Sequence, residues 1–115
     1  MRQDGKIDYV EFPATDLPVV KQFYATAFGW SFIDYGPTYA ALDPSAGLDG
    51  GFDATPETPL TKPLVIMYAT DLEAMETKVR AAGGTITVPI FAFPGGRRFH
   101  FQDPAGNELA VWSDS

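Results

Sequence analysis

The tetrapeptide ATDL occurs twice in this chain, at Ala14–Leu17 and at Ala69–Leu72. The two copies lie 55 residues apart in a chain of 115 residues, so the repeat divides the chain into two nearly equal halves. Thr and Asp commonly cap the N-terminus of a helix, and each copy therefore predicts the start of a helix. The repeat raises the question of whether one folding unit has been copied and joined head to tail.

The first copy lies between a predicted strand and a predicted helix. The residues of Lys6–Phe12 alternate as the two faces of a strand do. Pro18 near the helix start and Gly29 after its last turn complete the helix signals. We expect three short strands and then a linker with two prolines: Trp30–Tyr35, Thr38–Leu42, Gly50–Ala54 and Thr55–Lys62.

The second copy has the same neighbours. Leu64–Tyr68 reads as a buried strand, and the helix that begins at Leu72 ends at Gly83-Gly84. The remaining residues predict a strand, an apolar loop, a second strand, a tight turn and a last strand: Thr85–Val88, Pro89–Gly96, Arg97–Gln102, Asp103–Asn107 and Glu108–Trp112.

A shift of 55 residues aligns more than the tetrapeptide. It places Gly29 on Gly84 and Gly51 on Gly106, and it places the first strand on Lys62–Met67. We therefore predict an α+β fold of two tandem βαβββ modules, residues 5–59 and 60–114, in one domain. A ferredoxin-like domain gives a similar order of elements and is the alternative, but it does not account for the matching caps and stop glycines.

Composition narrows the classes of partner. Hydrophobic residues make up 45% of the chain and charged residues 20%, which is typical of a globular domain. The formal net charge is −7, and an acidic surface repels phosphate backbones and anionic lipid, so we expect neither nucleic acid nor a membrane as partner. There is no cysteine, which excludes thiolate chemistry. The N-terminus has no long apolar run, and the cytoplasm is the expected location.

Three motifs together resemble a known superfamily. They are the TDL after the early strand, FYATAFGW at Phe23–Trp30 and DPAGNELAVW at Asp103–Trp112. This combination is similar to the vicinal oxygen chelate superfamily, which includes glyoxalase I, extradiol dioxygenases and bleomycin- and fosfomycin-resistance proteins. The resemblance implies a mixed sheet curled into a half-open cup that holds the ligand, and a homodimer. It is specific for fold rather than for function, because the superfamily includes isomerases, dioxygenases, lyases, transferases and binding proteins.

The resemblance also says where metal ligands are expected. The usual first-strand and last-strand positions fall here on Tyr9, Leu64 and Ala110, with the fourth near Asp53. Two of these side chains are hydrocarbons and offer no donor to a divalent metal. We therefore expect no metal cofactor. The alternative is one divalent metal in a non-standard site made from Glu11, Asp53, Glu108 and His100.

If that alignment holds, the residues on the same strand faces line the cup. They form apolar and aromatic walls with one or two carboxylates, which suits a small, partly aromatic or cationic organic molecule. The apolar segment before the two arginines is either a lid or part of a dimer seam, and the arginines either hold an anion or balance charge. The predicted ligand-binding residues are Tyr9, Glu11, Leu64, Ile66, Tyr68, Phe91, Phe93, Arg97, Glu108, Ala110 and Trp112.

Three residues allow two interpretations each. Glu11 is either a catalytic base, activated by burial among aromatic rings, or an ordinary strand carboxylate paired with Arg97 or Arg98. His100 is the only histidine, and a structural hydrogen-bonding role is favoured over a role as base or ligand. Trp112 is favoured as core or dimer interface rather than as a platform for a ligand.

The expected function is a glyoxalase-like protein that binds a small organic molecule without the usual metal. The alternative is a lyase, isomerase or dioxygenase of the same superfamily, with Glu11 or His100 as base or with a metal. A third hypothesis is a domain that acts only through protein contacts, which predicts a large apolar patch. The sequence leaves open whether the protein is an enzyme.

Overall fold

The computed structural model describes residues 2–55 and 62–115. The chain divides into two compact units. The N-unit is Tyr9–Leu64, and the C-unit combines Met1–Asp8 with Val65–Ser115. Most of the predicted linker, residues 56–61, lies outside the described residues.

The first βαβββ series runs through β1 (Ile7–Pro13), α1 (Leu17–Phe28), β2 (Phe32–Asp34), β3 (Tyr39–Leu42) and β4 (Gly50–Asp53). A short 3-10 turn, Pro44–Ala46, precedes β4. The strands are ordered β2-β3-β4-β1, with β1 parallel to β4 and the other pairs antiparallel. The sheet of the N-unit is therefore mixed.

The second series runs through β5 (Leu64–Tyr68), α2 (Leu72–Ala81), β6 (Thr85–Phe93), β7 (Gly96–Gln102) and β8 (Glu108–Ser113). Its order is β6-β7-β8-β5, with β5 parallel to β8 and the other pairs antiparallel. Both series thus have the same element order, the same strand order and the same directions. The predicted α+β class with two βαβββ series is confirmed.

The repeated tetrapeptide works as predicted in both places. The side chain of Asp16 accepts a hydrogen bond from the Val19 amide at 3.3 Å, and that of Asp71 accepts one from the Ala74 amide at 3.0 Å. Each bond satisfies one of the amides that a helix start leaves without a partner. Gly29 ends α1 with φ 74°, a left-handed conformation that side chains disfavour.

Each helix covers one face of its own strands. Leu17 packs with Ala40, Leu42 and Phe52 in the N-unit. Its counterpart Leu72 packs with Ala69, Phe99 and Val111 in the C-unit. The final Leu of each ATDL thus anchors its helix in a core.

One sequence prediction is wrong. Pro89–Gly96 was expected to be a loop, but β6 continues through Phe93, and the register shifts between Ile86 and Val88 and between Val88 and Phe91. These irregularities and the edge position of β6 accommodate Pro89, which has no N–H to donate. Only Pro94 and Gly95 form the turn into β7.

Within the described ranges, neither helix is long and apolar enough to cross a membrane.

Candidate functional site

The strand face away from the helix, here called the far face, carries the polar candidates in each unit. Side chains alternate along a strand, so neighbours of core residues point away from the helix. Phe12 and Phe52 pack in the N-unit core, which places Glu11 and Gly51 on the far face. Phe99 and Val111 pack in the C-unit core, which places His100 and Ala110 on the far face of that unit.

Tyr9, Glu11 and Tyr39 form a hydrogen-bonded chain on the far face of the N-unit. The Tyr39 hydroxyl donates to Glu11 Oε2 at 3.2 Å, and the hydroxyl oxygens of Tyr9 and Tyr39 are 2.5 Å apart. Since Tyr39 has one proton to donate, Tyr9 is the donor to Tyr39. Glu11 is 5% exposed, so this chain holds a buried carboxylate.

Gly51 makes room for this chain. It lies opposite Glu11 in the pairing of β1 with β4. A Cβ atom at this position would overlap the hydroxyl groups of both Tyr39 and Tyr9. The absence of a side chain therefore allows the two phenols to meet over the strand.

Burial sets the protonation of both phenols. It raises the pKa of Tyr39 far above the ordinary value, and the nearby Glu11 carboxylate raises it further. Burial also raises the pKa of Tyr9, and the nearby Glu11 carboxylate acts in the same direction. Both residues are neutral hydrogen-bond donors at physiological pH.

His100 and Glu108 form the corresponding polar group on the far face of the C-unit. His100 Nδ1 lies 3.4 Å from Glu108 Oε2, and Thr87 donates to the same carboxylate oxygen at 3.1 Å. His100 is 7% exposed. Within the described part of the chain, its buried Nε2 makes no hydrogen bond.

The environment of His100 favours the neutral imidazole. Burial lowers its pKa, the Arg98 charge lowers it further, and Glu108 opposes both. A neutral imidazole whose Nδ1 faces a carboxylate carries its proton on that nitrogen, which leaves a lone pair on Nε2. His100 is therefore a buried group that can accept a proton or a hydrogen bond.

Aromatic rings surround this group. The Arg98 guanidinium lies 5.4 Å from the ring centroids of both Phe91 and Phe93. The rings of Phe91 and His100 are 5.9 Å apart, and those of Phe93 and Trp112 are 6.3 Å apart. The C-unit far face thus combines a cation, an imidazole and flat apolar surfaces.

Trp112 and Tyr68 each have a hydrogen-bonded partner near a chain end. The Trp112 indole N–H donates to Asp8 Oδ2 at 3.0 Å, and the Tyr68 hydroxyl donates to Asp114 Oδ1 at 2.7 Å. The Arg2 guanidinium lies 4.9 Å from the Trp112 ring centroid. Both rings therefore have a hydrogen-bonded partner within the C-unit.

The two arginines of β7 lie on opposite faces. The Arg97 guanidinium pairs with Glu73 of α2, with Nη1 to Oε2 at 2.5 Å and Nη2 to Oε1 at 3.2 Å. This places Arg97 on the helix side, whereas Arg98 lies over Phe91 and Phe93. Arg97 shares its strand face with the core residue Phe99, and Arg98 lies on the opposite face.

The aliphatic residues among the predicted ligand-binding positions lie on strands β5 and β8. Leu64, Ile66 and Ala110 are buried and lie on the far face by alternation with the core-packed Met67 and Val111.

No cluster of three or more His, Cys, Asp or Glu side chains suited to a metal occurs among residues 2–55 and 62–115. Sequence reasoning missed Tyr39 and Thr87, because their roles depend on strand register.

The chain is similar to known proteins in sequence and in structure. Residues 6–111 match the family model of the Glyoxalase/Bleomycin resistance protein/Dioxygenase superfamily. The protein named "Putative glyoxylase CFP32" of Mycobacterium tuberculosis is 28% identical over 96% of this chain. The match covers 46% of that relative, so the chain spans about half its length.

Solved structures share the fold at lower identity. Methylmalonyl-CoA epimerase from M. tuberculosis has a TM-score of 0.72 at 14% identity, covering 100% of this chain and 91% of its own. A superfamily member from Vibrio splendidus has a TM-score of 0.71 at 19% identity, with 94% and 97% covered. The Mn(II)-bound glyoxalase from Novosphingobium aromaticivorans has a TM-score of 0.65 at 21% identity, and the match covers 99% of this chain and 40% of that chain.

Proposed function

The chain belongs to the glyoxalase/bleomycin resistance protein/dioxygenase superfamily, and from this premise we propose that it binds a small, partly aromatic organic molecule. The observation that carries the proposal is the C-unit far face, where Arg98 lies over Phe91 and Phe93 beside the neutral His100. Flat apolar surfaces with a few placed polar groups are typical of small-molecule sites. Arg98 favours a ligand with an anionic group.

We propose that binding does not require the usual metal. The support is the donor set: Tyr9 stands at one expected ligand position, and the hydrocarbons Leu64 and Ala110 stand at two others. Elemental analysis after dialysis against Ni²⁺, Zn²⁺, Mn²⁺ and Fe²⁺ tests this point. Stoichiometric metal, near one ion per chain, would contradict it.

The adjacent arginines provide a matched test of the ligand face. A thermal-shift screen uses benzoate, benzylamine and benzyl alcohol as anionic, cationic and neutral probes, since a ligand of the folded state raises Tm. Arg98→Gln is expected to weaken benzoate binding about tenfold, the size of one lost charge-assisted contact. Arg97→Gln is the control and is expected to leave binding unchanged. Equal effects of the two variants, or no binding of any probe, would contradict the proposal.

A second candidate function is acid–base catalysis. The observation that favours it is the Nε2 lone pair of His100, whose other ring nitrogen, Nδ1, faces the Glu108 carboxylate. One protein of similar fold is described as an epimerase. Glu11, the base expected from the sequence, is the alternative proton acceptor. If the protein is an enzyme, His100→Gln or Glu11→Gln abolishes turnover while ligand binding persists. Loss of both properties together would assign the residue to binding or folding instead.

We further propose a homodimer that works in the cytoplasm, with neither nucleic acid nor a membrane as partner. The support for excluding those partners is the net charge of −7, which disfavours association with polyanions and anionic lipid. Gel filtration with light scattering measures the oligomeric state directly. Retention of the protein on heparin or on anionic vesicles at physiological salt would contradict the exclusion.

A further inference from the structure

The two helices differ in what they expose. On α1, Val19 is 62% exposed, Phe23 57% and Phe28 64%. Its one charged residue is Lys21, which pairs with Asp34 at 2.6 Å. On α2 four of the ten residues are charged, and the residue 55 positions after Phe23 is Lys78. Large exposed apolar side chains grouped on one element mark a contact surface.

The exposed rings of α1 contact partly buried aromatic rings that in turn pack on the core of the N-unit. Phe23 contacts Tyr24 edge to face at 5.0 Å between centroids and lies 6.4 Å from Phe28. Tyr24 stacks on Trp30 at 4.7 Å and lies 5.3 Å from the core residue Phe52. A ring that is already fixed loses little entropy when a partner covers it, which is typical of interface anchors.

These residues have the spacing of a packing ridge. Val19, Phe23 and Ala27 are exposed and follow each other at i, i+4 and i+8. Such a row is about 12 Å long at 1.5 Å per residue. Rows of this spacing pack into the grooves of a second helix, and two equal rows interdigitate at a crossing angle of about −50°.

We infer that this surface of α1, Val19, Phe23, Ala27 and Phe28, packs against α1 of a second copy of the chain. Charge favours that occupant. Two copies of net charge −7 repel each other wherever carboxylates meet, and α1 contains no Asp or Glu. A contact between two α1 helices is isologous, so it closes at two copies. The inference rests on the proposed homodimer and deepens it by naming its surface.

The lengths of similar proteins agree with pairing. The chain covers 46% of the mycobacterial relative and 40% of the Mn(II)-bound glyoxalase. Those chains have room for a second domain of this size. Two separate copies of the present chain would provide the same amount of structure.

Phe23→Lys tests the surface. The variant places on α1 the residue type that α2 has at the corresponding position, and it reduces the net negative charge. General repulsion therefore cannot explain a loss of dimer. Thr77→Lys on α2 is the control, since it makes the same charge change at an exposed residue of the other helix.

Sedimentation velocity from about 1 to 100 μM is expected to show dimers for the wild type and for Thr77→Lys. Phe23→Lys is expected to raise the dimer dissociation constant at least tenfold, with unchanged circular dichroism. A wild type that stays monomeric refutes the inference and the homodimer, but leaves the ligand proposal intact. A Phe23→Lys protein that stays dimeric refutes the surface alone.

The absence of native cysteine gives a second test that does not depend on the folding of Phe23→Lys. Gln22→Cys and Thr77→Cys each introduce a single thiol at corresponding exposed positions of the two helices. A spin label on the thiol of the Gln22→Cys protein is expected to report a distance below about 25 Å within a dimer, because an isologous helix pair brings the same residue of both copies near the axis. A short distance for the Thr77→Cys protein and none for the Gln22→Cys protein would overturn the inference.

Discussion

The N-unit and the C-unit share one framework and differ in chemistry. Both have a capped helix whose first leucine enters the core, and both have the same strand order. The N-unit far face has a buried hydrogen-bonded chain that ends on Glu11, whereas the C-unit far face has His100 with a buried lone pair. The residues that define the repeat are therefore the ones that build the fold, and the residues between them are free to specialise.

The largest expected effects test the shared framework. Leu17→Ala and Leu72→Ala remove the same anchor from the two units, and each is expected to cost about 2–5 kcal/mol of unfolding free energy. Leu72 is 0% exposed and Leu17 is 6% exposed, so Leu72→Ala is expected to cost more. Urea denaturation followed by circular dichroism measures both. A cost below about 1 kcal/mol for either variant would show that the repeat no longer anchors that helix.

The next effect separates the two units by their tyrosines. Tyr39→Phe removes a donor from the buried Glu11 and is expected to cost about 1–3 kcal/mol. Tyr68→Phe removes a comparable bond to Asp114, whose side chain is 45% exposed, and water can replace that bond. The Tyr68 variant is therefore expected to lose less stability in urea denaturation. Equal losses would mean that the hydrogen bond from Tyr39 to Glu11 contributes no more to stability than a surface hydrogen bond does.

The pH dependence of this effect has a definite sign. The folded-state pKa of Tyr39 is raised above the unfolded value, so its contribution is complete below about pH 10 and is lost as pH rises beyond it. Tyr39→Phe is expected to lose less stability than the wild type between about pH 9 and 11, measured as the change in denaturation midpoint. A steeper alkaline loss in the variant would contradict the assignment.

The helix caps give a smaller pair of effects. Asp16→Ala and Asp71→Ala are each expected to cost about 1 kcal/mol, because one helix-start amide loses its acceptor. The Asp71 bond is shorter, at 3.0 Å against 3.3 Å, so its loss is expected to cost more. Asp→Asn at each position is the control and should restore most of the stability, since the amide oxygen still accepts. Denaturation midpoints measured side by side decide the order.

The sequence contained most of this framework in local signals. The caps at Asp16 and Asp71 and the glycine after α1 depend on neighbours a few residues away, and these predictions are confirmed. The extent of β6 was mistaken because proline and glycine normally signal a loop. An edge strand with register shifts tolerates them, and neither property can be read from a local pattern.

The polar groups of the far faces depend on register between strands. Glu11, His100 and Glu108 were named as candidates from their residue types, but Tyr39 was not. It meets Tyr9 and Glu11 only because β3, β4 and β1 pair in one particular alignment. Arg97 and Arg98 show the same limit, since adjacent residues of one strand point to opposite faces. The sequence shows that side chains alternate along the strand that contains Arg97 and Arg98. It does not show which of the two faces packs against the core.

The smallest effect concerns His100, which has no counterpart in the N-unit. Burial and Arg98 lower its folded-state pKa, and Glu108 opposes them, so the unfolded chain takes up a proton at a higher pH than the folded chain. The wild type should therefore lose stability as pH falls below about 6.5, and His100→Gln should lose less over the same range. Because the chain has one histidine, its imidazole proton resonances can be followed by NMR without assignment. A midpoint at or above the ordinary value would mean that Glu108 dominates, and Nε2 would then be protonated in a larger fraction of molecules near neutral pH than proton transfer to a buried neutral imidazole requires.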